Sequence, residues 1–187
     1  LAYHRERGLP LVIGRFFNTV GPRQSARYGM VIPRFVEAAL EGRPLEVYGT
    51  GDQTRCFCDV ADVVRFLRAL LETPGAQGQV VNLGTDQSIS IHDLAQKIVT
   101  RTASASKIRK VPYSEAFPRG VEDMLHRRPD ISRLKSLTGL APEIELDEIP
   151  DDFRMDAGIT WHTDIQFHII CGSTTLPRSD ASRIADR

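Results

Sequence analysis

The chain has 187 residues, in which 24 lysines and arginines are balanced by 24 aspartates and glutamates, and 41% of the residues are hydrophobic. This composition is typical of a globular chain of one domain, or one and a half. A net charge of zero excludes a protein that attracts nucleic acid through an overall positive field. The apolar runs fall far short of the roughly 20 residues of a membrane span. We therefore expect neither nucleic acid nor a membrane as a partner.

The start of the chain has the pattern of the end of a helix. Residues 2–7 favour a helix, Gly8 suits its C-terminal cap, and Pro10 stands where a helix does not continue. Because the first residue is not methionine, we expect this chain to be a piece of a longer protein. Residues 1–10 lack the apolar core of a signal peptide, and three cysteines do not make a disulfide framework. Both observations favour a cytoplasmic location.

Strand-like and helix-like segments alternate along most of the chain. The predicted elements are a strand at 11–17, a helix at 33–42, a strand at 44–48, an extended segment at 55–60, a helix at 61–72, a strand at 79–83, a helix that starts at Ser90, a strand at 108–112 and a helix at 130–139. The apolar stripe of the helix at 61–72 is predicted to consist of Val63, Val64, Leu67, Leu70 and Leu71. This alternation indicates an α/β fold.

The pattern changes towards the C-terminus. After Trp161 the apolar residues follow no sustained period, which is typical of a segment that cannot build a core. We expect residues 1–149 to form the folded part and residues 150–187 to be a divergent, poorly ordered tail.

Six short segments together resemble one protein family. Residues 15–24 read RFFNTVGPRQ, which resembles the R-[FY]-F-N-x-[YV]-G-P-R-Q segment of the extended short-chain dehydrogenases/reductases that act on nucleotide sugars. The other five segments follow in the family's order: GMVIPRF at 29–35, VYGTGDQTR at 47–55, DVADVV at 59–64, VNLG at 81–84 and RRPDI at 127–131. The resemblance covers residues 1–149 and is greatest to UDP-glucose 4-epimerases and UDP-glucuronate decarboxylases.

Two motifs of that family are missing from the sequence. It contains neither a glycine-rich G-x-x-G-x-x-G turn, which holds the pyrophosphate of NAD at a helix N-terminus, nor a Tyr-x-x-x-Lys pair, which supplies the catalytic base. The resemblance therefore implies the C-terminal portion of a Rossmann-type enzyme, with its last strands and its small substrate-binding lobe. NAD would be bound mainly by the missing N-terminal half, no catalytic residue would lie in this chain, and the full-length protein would be a homodimer.

The resemblance also assigns substrate contacts. Arg55 and Arg128 would clamp the diphosphate of a nucleotide sugar, with Arg127 as an alternative to Arg128. The Asn18 amide would donate to a phosphate or a sugar hydroxyl, or Asn18 would form a turn and bond to its own backbone. The side chains expected to line the uracil and ribose pocket are Val31, Ile32 and Tyr48.

Three further residues have two interpretations each. Phe16 and Phe17 would touch the nicotinamide end of NAD, but core packing explains both rings equally well. Asp130 would lie near the ribose, or would cap the helix that follows it. Cys56 and Cys58 have no second pair of ligands nearby, and the histidines show no ligand spacing, so no metal site is expected.

The function implied is that of the nucleotide-sugar-binding part of an NAD-dependent epimerase, dehydratase or decarboxylase that works through transient oxidation at sugar C4. The alternative is a non-catalytic nucleotide-sugar-binding module or an inactive fragment.

Overall fold

The computed structural model describes residues 1–21, 24, 30–116 and 124–147 and the backbone of residues 167–171. The helices in this part of the chain are α1 (Ala2–Arg7), α2 (Val31–Leu40), α3 (Val60–Glu72), α4 (Ile91–Arg101), α5 (Tyr113–Ala116) and α6 (Ser132–Thr138). The strands are β1 (Leu11–Phe16), β2 (Thr19–Val20), β3 (Leu45–Tyr48), β4 (Thr54–Arg55), β5 (Cys58–Asp59), β6 (Val80–Leu83), β7 (Ile89–Ser90), β8 (Ile108–Val111) and β9 (Phe167–Cys171). The predicted α/β class is confirmed.

The largest sheet has β1 at its centre. Strand β6 pairs parallel with β1, with Ile13 opposite Val80, and helix α3 lies in the crossover between them. A Cβ atom on Gly14 would lie only 2.8 Å from Leu83 Cδ1, so a glycine in β1 allows β6 and its side chains to pack closely. Parallel strands joined through a helix form the Rossmann-type arrangement that the resemblance implied.

The other edge of β1 pairs with β9, which runs antiparallel to it. Strand β9 lies inside residues 150–187, which were predicted to be a poorly ordered tail, and the remainder of that segment lies outside the described residues. Pairing with β1 gives these five residues ladder hydrogen bonds that their own sequence pattern does not predict.

Two hydrophobic cores hold the described part of the chain together. The first lies under α3 and α6 and is centred on Phe66, Leu83 and Leu134. The second lies between α2, β3 and α4 and is centred on Phe35 and Leu45. Because two cores form, the fold has two lobes: β1 and α3 belong to the first, and α2, β3 and α4 belong to the second.

Three details of the helices differ from the predictions. Helix α2 begins at Val31 rather than Pro33, because the first turn of a helix has no acceptor for its N–H groups and so tolerates proline. In α3, the prediction of a buried stripe is wrong for Val64 and Leu71, which are 57% and 42% exposed. Residues 63, 66 and 70 face the core at helical spacing, and positions 64 and 71 are each rotated about 100° from that face.

The predicted helix ends at Ser90 and Gly139 are confirmed, whereas α2 ends at Leu40 with Glu41 as its C-cap and the N-cap of α6 is Ile131. The Ser90 hydroxyl accepts a hydrogen bond from the Asp93 N–H at 3.0 Å at the start of α4, which is the expected capping contact. Gly139 ends α6 in the left-handed conformation with φ 70°. Among the described residues, no helix is both long and apolar enough to cross a bilayer.

Candidate functional site

A cavity of about 290 Å³ opens beyond the carboxyl end of β1. Parallel α/β sheets bind ligands at this end of their strands, and the volume is close to the lower limit of ligand pockets, about 300 Å³. Five of the predicted substrate residues line the cavity: Asn18, Val31, Ile32, Tyr48 and Arg55. Residues from four separate segments of the sequence therefore meet at one opening.

Asn18 is held in a left-handed conformation, with φ 36°, two residues after β1 ends. Its side-chain Nδ2 donates to the Cys56 carbonyl at 2.9 Å, and its own carbonyl accepts from the Cys58 N–H at 3.2 Å. Asparagine adopts this conformation more readily than most residues. The Asn18 side chain is therefore hydrogen-bonded to the segment 56–58. The turn interpretation required a bond to its own backbone instead.

Arg55 lines the cavity from β4. Its Nη1 donates to the carbonyls of Thr54, at 2.8 Å, and Met124, at 2.9 Å. These bonds orient the guanidinium and tie it to the segment that begins at residue 124. A planar fork held in this way is suited to a phosphate oxygen.

Arg127 and Arg128 lie beside β4 but do not line the cavity. The Arg127 N–H donates to the Thr54 carbonyl at 3.3 Å, so this segment runs alongside Arg55. The Arg128 side chain is 64% exposed and lies 3.9 Å from an Asp86 carboxylate oxygen. Burial raises the pKa of the Cys56 thiol, and the nearby Arg128 charge opposes this rise. The predicted diphosphate residues thus come from neighbouring segments, with Arg55 inside the cavity and the other two outside it.

Phe16 and Phe17 also lie outside the cavity lining. Phe16 packs against the core under α3, which agrees with the core-packing interpretation. The Phe17 ring has two guanidinium carbons over it, from Arg15 at 5.7 Å and from Arg127 at 5.5 Å. Contact of either ring with a nicotinamide stays a prediction.

Asp130 stands just before α6 and outside the cavity lining. Its carboxylate accepts from the Ser132 N–H at 2.9 Å. Hydrogen bonds from the Ser132 backbone and hydroxyl lower the pKa of the Asp130 carboxyl, because they favour its charged form. The N-cap position of α6 is Ile131, without a side-chain capping bond, so Asp130 forms a turn with Ser132 one position before the cap, and its contact with a ribose stays a prediction.

Nine residues of the cavity lining were not predicted from the sequence, and they include Arg34, Gln53 and Tyr113. Arg34 follows Val31 by three positions and so lies on the same face of α2, a spacing that could have identified it. Gln53 is buried and its Nε2 donates to the Tyr48 carbonyl at 2.9 Å. Tyr113 has no such signal, because it reaches the cavity only through the pairing of β8 with β3.

Glycine is required where Tyr113 meets the turn after β3. Gly49 has φ 67°, and a Cβ atom there would lie 2.4 Å from the Tyr113 ring. Any other residue at this position would be strained and would push the ring away. The absence of a side chain at Gly49 therefore allows the Tyr113 ring to take its place in the cavity wall.

Metal chemistry finds no support in the part of the chain that the structure describes. No group of three or more histidine, cysteine, aspartate or glutamate side chains is placed there to hold an ion. Cys56 and Cys58 are buried free thiols. Burial, together with the Asp62 and Asp59 charges, raises the pKa of Cys58 to about 12.

The fold and the cavity define the class of protein: a Rossmann-type α/β protein with a ligand pocket at the carboxyl end of its parallel strands. Residues 1–84 match the sequence model of the NAD dependent epimerase/dehydratase family. This part of the chain, a little under half of it, is therefore similar to the NAD-dependent epimerase/dehydratase family.

Curated relatives are similar to a larger part of the chain. The chain is 41% identical over 143 residues to a UDP-N-acetyl-alpha-D-glucosaminuronate decarboxylase of Bacillus cytotoxicus, covering 76% of this chain and 44% of the relative. It is 35% identical over 161 residues to UDP-glucuronic acid decarboxylase 6 of Arabidopsis thaliana, covering 84% of this chain and 45% of the relative. The chain thus spans somewhat less than half the length of these relatives.

Solved structures show the same fold. A UDP-glucuronic acid 4-epimerase from Bacillus cereus, in complex with UDP-glucuronic acid and NAD, matches with a TM-score of 0.68 and 28% identity, over 79% of this chain and 45% of that one. A UDP-glucose 4-epimerase with UDP-glucose from Thermotoga maritima matches with a TM-score of 0.70 and 26% identity, over 82% of this chain and 47% of that one.

Proposed function

We propose that this chain is the nucleotide-sugar-binding part of an NAD-dependent epimerase, dehydratase or decarboxylase that works through transient oxidation at C4 of a UDP-sugar. The observation that carries the proposal is the cavity after β1, which gathers Asn18, Val31, Ile32, Tyr48 and Arg55. The decarboxylases and epimerases described above, which are among the proteins similar to the chain, are named for UDP-sugars.

Charge in and beside the cavity supports a diphosphate ligand. Arg55 lines the cavity with its Nη1 held by two backbone carbonyls, and Arg127 and Arg128 lie in the adjacent segment. Two phosphate charges are best met by guanidinium forks. We assign the primary contact to Arg55 and a supporting contact to Arg128 or Arg127.

Apolar and aromatic groups support a base and ribose beside the diphosphate. Val31 and Ile32 begin α2, and Tyr48 ends β3, at the same cavity. Asn18 adds an amide that is already fixed by the Cys56 carbonyl. The role of these residues is to bind the substrate in one orientation, which sets the position of the sugar relative to the reacting groups.

The residues present do not form an NAD site. The sequence lacks a glycine-rich turn, and Phe16 and Phe17 lie outside the cavity lining. When bound to the whole protein, NAD would accept and return a hydride, and it would be held mainly by upstream residues.

We propose that this chain alone does not turn over a UDP-sugar and that the whole protein is a homodimer. A module that binds nucleotide sugars without turnover is the second candidate, since the sequence also lacks Tyr-x-x-x-Lys.

The proposal is tested by calorimetry on the 187-residue chain with UDP, ADP and inorganic diphosphate. We expect saturable binding of UDP, weaker binding of ADP, and a loss of roughly tenfold or more in UDP affinity for Arg55→Gln. Arg68→Gln is the matched control, because Arg68 carries the same charge on α3 and its side chain is 81% exposed. Equal affinity for UDP and ADP, or equal losses in the two variants, would contradict the proposal.

A further inference from the structure

Among the described residues, Asp86 lies between two cations just beyond the carboxyl end of β6. Its Oδ2 accepts a hydrogen bond from Lys135 Nζ at 3.2 Å and lies 3.9 Å from Arg128 Nη2. The second distance is too long for a hydrogen bond and is that of a loose ion pair. Lys135 therefore holds the Asp86 carboxylate, whereas Asp86 attracts Arg128 without binding it closely.

Both members of the loose pair stand at the edge of the sheet where a ligand is expected. Asp86 follows the last residue of β6 by three positions. Asn82, in β6, donates from its side-chain Nδ2 to the Asp130 carbonyl at 2.8 Å, which holds the segment that contains Arg128 beside this strand. Since β6 runs parallel to β1, the pair lies at the same end of the sheet as the cavity.

The charges of the pair also act on a residue at the edge of the cavity. Burial raises the pKa of the Cys56 thiol, the Arg128 charge lowers it and the Asp86 charge raises it. Cys56 directly follows Arg55, which lines the cavity, and its carbonyl accepts from the Asn18 amide. A diphosphate at Arg55 would therefore meet the positive charge of Arg128 and the negative charge of Asp86.

We propose that Asp86 is a positioning residue that sets the affinity of the site for a diphosphate, because it holds Arg128 as a counter-ion that the ligand displaces. This inference rests on the proposed function and assigns the supporting diphosphate contact to Arg128, not to Arg127. When Arg128 turns from Asp86 to a phosphate oxygen, Lys135 keeps its hydrogen bond to the carboxylate. The exchange is therefore inexpensive, since exposed ion pairs are weak and no carboxylate loses its last partner.

Calorimetry with UDP and with inorganic diphosphate tests the inference on the wild-type chain and two variants. Asp86→Asn keeps the shape of the side chain and releases Arg128, so we expect both ligands to bind about threefold more tightly, the size of an exposed ion pair. Lys135→Met removes the hydrogen bond to Asp86, which then holds Arg128 more firmly, so we expect both ligands to bind about threefold more weakly. A merely structural role of Asp86 would weaken binding in Asp86→Asn.

Two controls separate the exchange from a general effect of charge. Glu72→Gln also removes one negative charge from an exposed ion pair, on α3, and is expected to leave both affinities unchanged. In an Arg128→Gln background, Asp86→Asn is expected to change neither affinity, because the cation that it would release is missing.

The inference is overturned if Asp86→Asn binds inorganic diphosphate no more tightly than the wild type, or if Lys135→Met does not weaken this binding. It is also overturned if the gain in Asp86→Asn persists in the Arg128→Gln background, because direct repulsion between Asp86 and the ligand would then explain it. A wild-type chain that binds inorganic diphosphate but not UDP would overturn the proposed function alone, and one that binds neither would overturn both.

Discussion

The Asp62 carboxylate on α3 accepts a hydrogen bond from the Ile144 N–H at 3.0 Å, across 82 positions of sequence. The same oxygen accepts from the Glu143 N–H at 3.0 Å, and the other oxygen accepts from Arg65 at 2.7 Å. Asp62 is only 2% exposed. The segment it holds matters because Ile144 and Leu146 pack on the core of the second lobe, whereas α3 belongs to the first lobe. Asp62 therefore helps to join the two lobes.

Removal of the Asp62 carboxylate is expected to destabilise the chain strongly. Asp62→Ala leaves the Glu143 and Ile144 N–H groups without their acceptor, whereas Arg65 keeps the Glu143 carboxylate and the Ala141 carbonyl. Breaking a buried charged network of this kind costs about 3 kcal/mol. Urea unfolding followed by circular dichroism gives the free energy of unfolding of both proteins.

An exposed ion pair on the same helix provides the control for Asp62→Ala. Arg68 and Glu72 pair at 3.1 Å, with side chains 81% and 65% exposed. Exposed pairs contribute about 0.5 kcal/mol or less, so Glu72→Ala is expected to have little effect. If the two substitutions destabilise the chain by similar amounts, the Asp62 network does not join the lobes.

The fold was largely predictable because its signals are local. The apolar run of β1 and the capping contact of Ser90 depend on neighbouring residues, and both predictions are confirmed. The predictions of burial were wrong where tertiary packing determines which side of a helix is covered. Val64 and Leu71 are as apolar as the buried residues of α3, and only the direction of the sheet determines which face is covered.

The candidate site was predictable where the chain resembles its family and less so elsewhere. Asn18, Tyr48 and Arg55 lie in recognisable motifs and line the cavity. Tyr113 lies outside those motifs and reaches the cavity because β8 pairs with β3. The local sequence does not indicate such a long-range strand pairing. The position of Tyr113 in the cavity wall could therefore be identified only from the structure.

The contact between Gly49 and Tyr113 predicts a specific effect of Gly49→Ala. The substitution adds a methyl group 2.4 Å from the Tyr113 ring in a backbone with φ 67°. We expect a displaced ring, weaker UDP binding, and a loss of about 2 kcal/mol in the free energy of unfolding, from backbone strain and overpacking together. Tyrosine fluorescence and calorimetry measure the first two effects, and urea unfolding measures the third.

The control variant Gly42→Ala separates the effect of the contact with Tyr113 from the effect of backbone strain. Gly42 has nearly the same φ, 68°, but a Cβ atom there meets nothing within 4 Å. It should show only the strain, about 1 kcal/mol, with normal UDP affinity. The assignment of Tyr113 to the cavity wall fails if Gly49→Ala and Gly42→Ala bind UDP equally well.

The raised pKa of Cys58 predicts a loss of stability in alkali. Burial, with the charges of Asp62 and Asp59, raises this pKa to about 12, whereas an unfolded chain has a thiol pKa of about 8.5. Between these values the folded state keeps a proton that the unfolded state loses. The free energy of unfolding therefore falls as the pH rises, by up to about 1.4 kcal/mol per pH unit. Below pH of about 8.5 the full contribution is present.

Comparison of the wild type with Cys58→Ala isolates this effect. From pH 8 to pH 10 the wild type is expected to lose about 2 kcal/mol more than the variant, measured by urea unfolding under reducing conditions. The native thiol should also react slowly with a disulfide reagent at pH 8, because the thiolate is the reactive form. Parallel pH profiles for the two proteins would show that Cys58 titrates normally.

Two substitutions of Asn18 separate its backbone role from its binding role. Asn18→Gly tolerates the φ of 36° but removes the bond to the Cys56 carbonyl, which is expected to cost about 1 kcal/mol of stability. Asn18→Ala loses the same bond and adds backbone strain, for a further loss of about 1 kcal/mol. If the amide also contacts the substrate, both variants lose UDP affinity by the same factor despite their different stabilities. UDP affinity equal to that of the wild type in Asn18→Gly would limit Asn18 to its structural role.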